Sequence, residues 1–205
     1  MARFTEPKGK IVRRFGVNIY GNPKFDRLLG KKPNGPGVHG ASRRRKVSEY
    51  GLQLIEKQKI KYCYGMGERQ FRVLFKRALK RPGITGDNLM VLLESRFDNT
   101  VYRMGMAPTR DAARQLIAHG HLKINGRRVN IASYSLRPGE EISVKDSSRS
   151  RALVSRYLEE CANRDAAAWV AVDRDNLTGI FERTPIREEI PTVANEQLVV
   201  ELYSK

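Results

Sequence analysis

The sequence predicts an α+β protein, with amphipathic helices, a few antiparallel hairpin strands and a basic arm in front of them. Three observations predict this. Between residues 48 and 120, apolar side chains recur mostly at three- and four-residue intervals, the spacing of helices with one buried face. Beyond residue 120 the spacing turns to short alternating runs separated by turn signals, Asn125-Gly126 above all, interrupted by one further helical stretch. The first forty-five residues hold seven glycines and four prolines and have little periodic apolar content.

In chain order, KKPNGPGVHG breaks any regular element, and residues 1–45 read as an arm that orders largely on binding. Ser48 is a candidate N-cap for the first helix, with Leu52, Ile55 and Lys59 at helical spacing and Lys57 and Lys61 on another face. A second helix is expected over about 68–80. Its stripe of Phe71, Leu74, Phe75, Ala78 and Leu79 is core rather than a base-stacking surface, and Arg69, Arg72, Lys76 and Lys80 line a different face. RPGITGD then interrupts the chain, and NLMVLLESRF makes a third helix. Asp98 is placed to cap a short fourth helix, DNTVYRMGM.

The stretch APTRDAARQLIAHGHLKINGRRVN predicts a helix running almost directly into a hairpin. Thr109 is the expected N-cap, Asp111 lies where the helix dipole favours an anion, and Gly120 stands at C′. Ala112, Ala113, Leu116 and Ile117 face inward, while Arg110 and Arg114, four apart, project together. Leu122 and Ile124 belong to a half-buried strand, and Val129 and Ile131 to its return strand. RPGEEISVKD adds a turn and a strand with Ile142 and Val144 inward. Residues 148–163 form a helix, WVAVDRDNLTGIFERTP two strands about Asp175-Asn176, and NEQLVVELYSK a last short helix. No internal repeat is present.

Charge is the most informative feature. The net charge is +17 over 205 residues. Residues 1–80 hold 21 Lys/Arg against 5 Asp/Glu, residues 81–150 hold 11 against 7, and residues 151–205 hold 7 against 10. So much like charge in one segment opposes folding unless a polyanion neutralises it, which favours nucleic acid over a merely solvated basic surface. Apolar residues make up 40%, enough for a packed core, and no apolar run approaches the ~18 residues of a membrane span. The start, MARFTEPKGKIVRRFG, has no signal-peptide pattern, so the expected location is the cytoplasm. Cys63 and Cys161 lie far apart, without partners at metal-ligand spacing. They read as reduced thiols, and no metal or other cofactor is expected.

A structured RNA is read through phosphates, 2′-hydroxyls and shape, so its partner needs cations on rigid elements held at fixed angles. Arg110 and Arg114 on the helix, with Lys123, Arg127 and Arg128 on the abutting hairpin, satisfy that requirement. His119 and His121 at the junction either donate to phosphate or ribose or simply face water. On this reading Arg114→Ala weakens RNA binding without unfolding the protein, and affinity falls steeply with salt.

TRDAARQLIAHGHLKINGRRVN resembles the helix-hairpin RNA-binding module named after ribosomal protein S-four. PGVHGASRRRKVSEYGLQLIEKQKIKYCYGMGERQFR (36–72), SRFDNTVYRMGMAPTR (95–110) and NEQLVVELYSK (195–205) are similar to further segments of the S-four family, in order along essentially the whole chain. Many bacterial members carry a four-cysteine zinc knuckle in the arm. With no cysteine before Cys63, this chain resembles the zinc-free variety. Val38 stands where a polar residue is commoner.

The resemblance implies an arm (1–45), a helical domain (46–95 with 176–205) and an RNA-binding domain inserted between its halves (96–175), with helices packed on a small antiparallel sheet. It implies direct binding to small-subunit ribosomal RNA, early assembly of the subunit and an influence on translational accuracy. The implied partners are ribosomal protein S-five and, in some bacteria, the operon's own messenger. No membrane and no small-molecule substrate is expected. The candidate RNA ligands are Arg13, Arg14, His39, Arg43, Arg44, Arg45 and Lys46 in the arm. The helical domain adds Lys57, Lys61, Arg69, Arg72 and Lys76, and the module adds Arg110, Arg114, His119, Lys123, Arg127 and Arg128.

Two other classes fit less well. The module also occurs in pseudouridine synthases and tyrosyl-tRNA synthetases, and RFDNT superficially resembles the catalytic Arg-Leu-Asp of the former. Helix capping explains Asp98 as well, and too little chain remains for a catalytic domain. There is no P-loop and no nucleophile beside a placed base, so no enzyme is expected. A helix-turn-helix DNA regulator would need a second helix where this chain has an Asn-Gly hairpin.

Overall fold

A computed structural model describes residues 6–42 and 46–204, and these form two compact units. The first comprises residues 1–87 and 191–205, and the second is the continuous stretch 88–190.

In the first unit the arm, expected to order largely on binding, holds two short helices. α1 (Lys8–Phe15) buries Ile11 and Val12. It ends on Gly16, whose φ of 73° allows its N–H to close on the Val12 carbonyl. α2 (Pro23–Lys31) begins with the Asn22 side chain accepting from Lys24 N–H and with Pro at the first helical position. Tyr20 packs on Phe25, and Phe15 reaches Tyr62 at 6.1 Å between ring centroids. The arm's few apolar residues therefore suffice because a helix of the main body completes their burial. A 3-10 turn (Val38–Ala41) follows.

α3 (Glu49–Cys63) has Ser48 as N-cap, accepting from Gly51 N–H at 3.2 Å. Its buried face is Gln53, Lys57 and Ile60, whereas Leu52 is exposed, so the sequence pattern points to the wrong stripe. α4 (Glu68–Leu79) buries Phe71, Leu74, Phe75 and Ala78 as expected, but Leu79 is 61% exposed. α5 (Thr85–Glu94) starts inside the segment expected to break the chain. α9 (Glu196–Ser204) packs along α3. Gln53 donates to Glu201 at 3.1 Å, Asn195 N–H to Glu56 at 3.0 Å, and Tyr203 stacks on Phe75 at 4.4 Å.

In the second unit, α6 (Phe97–Arg103) and α7 (Arg110–Ala118) pack together. They are followed by β1 (Leu122–Ile124), β2 (Arg127–Arg128), β3 (Glu140–Val144), α8 (Ser148–Glu160), β4 (Val170–Asp173) and β5 (Thr178–Phe181). The five strands form one antiparallel sheet in the order β2-β1-β3-β5-β4. Phe97, Ile117, Leu122, Ile142, Trp169 and Phe181 are fully buried in this unit. The return strand is shorter than expected. Ile131 is exposed, and residues 132–136 instead bond back to the start of α6 through Phe97 N–H to Tyr134 O and Asp98 N–H to Ala132 O.

Candidate nucleic-acid interface

Which cations are available for a polyanion depends on which of them the protein already engages. In the first unit the clearest surface is on α4. Burying Phe71, Leu74, Phe75 and Ala78 turns the opposite face outward, and Arg69, Arg72, Lys76, Arg77 and Lys80 all emerge exposed around Val73. None of the five has a hydrogen-bond or ion-pair partner among the described residues. Arg69 to Lys80 covers about 16 Å of helix at 1.5 Å per residue. Such a row of like charges gains nothing from itself.

Lys57 and Lys61 are not part of that surface. Lys57 is 7% exposed, and its ammonium donates to Glu68 at 2.7 Å, while Lys61 reaches the other Glu68 oxygen at 3.1 Å. Burial raises the Glu68 pKa, but the two lysine hydrogen bonds outweigh it and hold the carboxyl below its usual range. Tyr203, half-buried and beside Glu68, has its phenol pushed up to about 12 by burial and then by that carboxylate.

In the arm, Arg13 is a clasp. Its guanidinium donates to the Asn34 and Gly35 carbonyls at 3.0 and 2.8 Å. The same loop brings Gly40 so close to the Gly35 carbonyl that no side chain would fit there. Arg14, His39 and Lys46 are exposed and carry no partner among the described residues. Arg43, Arg44 and Arg45 lie outside the described residues.

In the second unit, Thr109 caps α7, its hydroxyl accepting from Ala112 N–H at 3.1 Å. Gly120 closes the helix in a Schellman motif: Gly120 N–H bonds to Ile117 O and His121 N–H to Leu116 O. Its φ of 70° turns the chain directly into β1. The hairpin loop is Asn125-Gly126, both with positive φ, as a two-residue I′ turn needs. Asn125 Oδ1 also accepts from Glu141 N–H at 2.9 Å, tying the turn to β3. Arg127 and Arg128 are exposed and Lys123 half-buried, while His119 is exposed at the helix end. The Arg128 guanidinium lies directly against Gly120, filling the space a Cβ would take. A glycine at the junction therefore lets this hairpin cation pack against the helix end.

Arg110 and Arg114, expected to face RNA, also have partners within the protein. Arg114 donates through Nε and a terminal nitrogen to one oxygen of Asp98, at 3.0 and 2.8 Å. Asp98, 2% exposed, also receives Arg96 in a fork at 3.0 and 2.8 Å. Asp98 is thus an internal counter-ion for two arginines, and not the cap of α6, whose N-cap is Arg96. Arg110 donates to Asn99 Oδ1 at 2.7 Å and lies 4.4 Å from the centre of the Tyr102 ring. The Asn99 amide in turn bonds to fully buried Glu94, which holds Arg103 at 2.9 and 2.7 Å. Arg114→Ala, expected to leave the protein folded, therefore carries a stability cost, because the change removes two hydrogen bonds to buried Asp98.

Two further exposed cations are not among the expected RNA ligands. Arg77 sits one residue beyond Lys76 on the same exposed face, and Arg149 is exposed at the start of α8. Helical spacing counted from Arg69 is enough to find the first. The second depends on a tertiary approach of α7 and α8.

Comparison with known proteins agrees with this architecture. Residues 3–94 match the family model described as Ribosomal protein S4/S9 N-terminal domain, and residues 95–142 match the S4 domain. The chain is 52% identical over 206 residues to a protein named Small ribosomal subunit protein uS4 of Borrelia turicatae, covering 100% of this chain and 99% of that one. It is 53% identical to the protein of that name in Borrelia duttonii at the same coverage. With the one in Chlorobaculum parvum it shares 48% over 205 residues, covering both chains fully.

Proposed function

Starting from a chain that belongs to the uS4 family of small ribosomal subunit proteins, a structural and not an enzymatic family, we propose that it binds small-subunit ribosomal RNA directly and organises early assembly of the subunit. The observation that carries this reading is the α4 face, where five exposed cations stand without protein partners among the described residues. Each phosphate they neutralise releases condensed counterions, the main source of affinity for a nucleic acid backbone. The hairpin adds Lys123, Arg127 and Arg128, with His119 beside them, at an angle fixed by Gly120. Arg14, His39 and Lys46 extend the surface along the arm, and Arg43, Arg44 and Arg45 belong to the same proposal on sequence grounds.

Lys57, Lys61, Arg13, Arg110 and Arg114 act one step behind. They build the surfaces on which the free cations stand, because their own donors already meet carboxylates, an amide or carbonyls. The helical domain (46–95 with 176–205) and the inserted RNA-binding domain (96–175) stay part of this proposal, beside the compact units 1–87 with 191–205 and 88–190.

A neighbouring ribosomal protein, S-five in the first instance, is proposed to dock on unit 1, where Val47, Tyr50 and Leu52 expose apolar surface near the start of α3. An influence on decoding accuracy and binding to the operon's own messenger belong to the same proposal. The discriminating experiment is equilibrium binding to a small-subunit ribosomal RNA transcript against duplex DNA of equal length at equal salt. Preference for the transcript supports the reading, and equal affinity refutes it.

A further inference from the structure

Beside the hairpin junction, α7 and α8 leave a cavity of about 260 Å³ that the protein's own contacts do not explain. Ala112, Leu116 and Leu153 give it an apolar lining. Gln115, His119, His121, Arg149 and Tyr157 add polar groups. The Gln115 and Arg149 side chains have no hydrogen-bond partner among the described residues, and neither does the Tyr157 hydroxyl. His121 uses Nδ1 on the Ser150 hydroxyl at 2.9 Å, which leaves Nε2 without one. The two histidine rings stand 6.0 Å apart. Burial first, then the charges of His119, Arg149 and Lys145, hold His121 below its usual pKa, so its ring favours the neutral form, with both a donor and an acceptor nitrogen.

We infer that this cavity receives one unpaired nucleobase of the bound RNA, turned out of its helix. Three features lead to that ligand. The cavity lies below the ~300–1,000 Å³ that suits a drug-sized molecule, so it fits a single ring system. Aromatic and imidazole side chains beside apolar ones suit stacking, and unpartnered groups that both donate and accept suit a base edge. Arg149 in the lining supplies a cation for a phosphate next to an extruded nucleotide. The inference rests on the RNA-binding reading above and specifies what one part of that surface recognises.

Base-specific chemical probing of a small-subunit ribosomal RNA transcript bound to the full chain tests it. Wild-type protein is expected to protect at least one unpaired base that becomes reactive again with Leu153→Trp, which fills the cavity. Because that change could disturb the fold, Gln115→Ala combined with Tyr157→Phe, which removes two unpartnered polar groups of the lining and no cation of the RNA surface, provides the second variant and is expected to lose the same protection. Affinity should fall about tenfold, the scale of one base stacked on an aromatic ring, with the rest of the footprint kept. Excess adenosine monophosphate should leave the protection intact. Displacement by it would assign the cavity to free nucleotides and overturn the inference. So would a footprint unchanged in the double variant. Failure of the RNA reading itself looks different: wild-type protein leaves no footprint anywhere, even at low salt.

Discussion

Arg114 on α7 and Asp98 on α6 are joined by two N–H donors converging on one carboxylate oxygen, at 3.0 and 2.8 Å. Asp98 is buried and also holds buried Arg96, so removing the aspartate strands charge in the interior. Loss of one partner from a buried ion pair costs ~3–5 kcal/mol, and Asp98→Ala is expected in that range. Arg114→Ala leaves Asp98 its second arginine, and its cost is expected nearer ~1.5–3 kcal/mol, the scale of hydrogen bonds to a charged group. Urea melts of both variants measure this, and an unchanged midpoint for Asp98→Ala would contradict the buried counter-ion role.

The α4 face behaves in the opposite way. Arg72→Ala with Lys76→Ala touches no intramolecular hydrogen bond or ion pair among the described residues, so the melting curve should stay within about 0.5 kcal/mol of wild type. RNA affinity should fall, and the salt slope should flatten by about 0.9 for each phosphate that is no longer neutralised. A large drop in stability with unchanged RNA binding would reverse the roles assigned to the two sets of arginines.

Gly120→Ala acts in two ways. A left-handed backbone at φ 70° costs a residue with a Cβ about 1–2 kcal/mol. The new methyl also pushes aside the Arg128 guanidinium, a cheap shift of an exposed side chain that moves the hairpin cation. Stability and RNA affinity are therefore expected to drop together, whereas Arg128→Ala should lower affinity alone. Thermal melts alongside binding curves separate the two, and a wild-type Tm for Gly120→Ala would remove the junction from the account.

Acid sensitivity should trace to Glu68. Its pKa lies below the ordinary carboxylate value in the folded protein, so the stability it contributes is present above the unfolded value and is lost as pH falls through the folded one. Protonation then leaves Lys57 buried without its counter-ion. Between about pH 6 and about pH 3 the urea midpoint of Glu68→Gln should fall less than that of wild type. Identical pH profiles would show that Glu68 carries no linkage.

Local chemistry makes some of this structure legible in the sequence, and tertiary pairing hides the rest. The α4 stripe, the Thr109 cap, the Gly120 turn and the Asn125-Gly126 hairpin follow from spacing and backbone preference over a few residues. Lys57 shows the limit. On the helix pattern it is one more surface cation, and only the approach of Glu68 from the next helix explains its burial. Asp98 likewise has the sequence context of a cap, and its role as a shared counter-ion depends on Arg114, sixteen residues away. The arm's helices leave too weak a pattern because their apolar residues are too few alone, and Tyr62 of α3 completes their packing. The bonding of β3 to β5, between residues some forty apart, leaves no local trace in either strand.

The most direct test of the proposed interface is the affinity of the purified chain for a small-subunit ribosomal RNA transcript, measured as salt is raised from about 50 to about 200 mM. With ~6–10 phosphates neutralised by the free cations of both units, affinity should fall on the order of a thousandfold or more. An affinity that stays level across that range would contradict electrostatic docking on RNA.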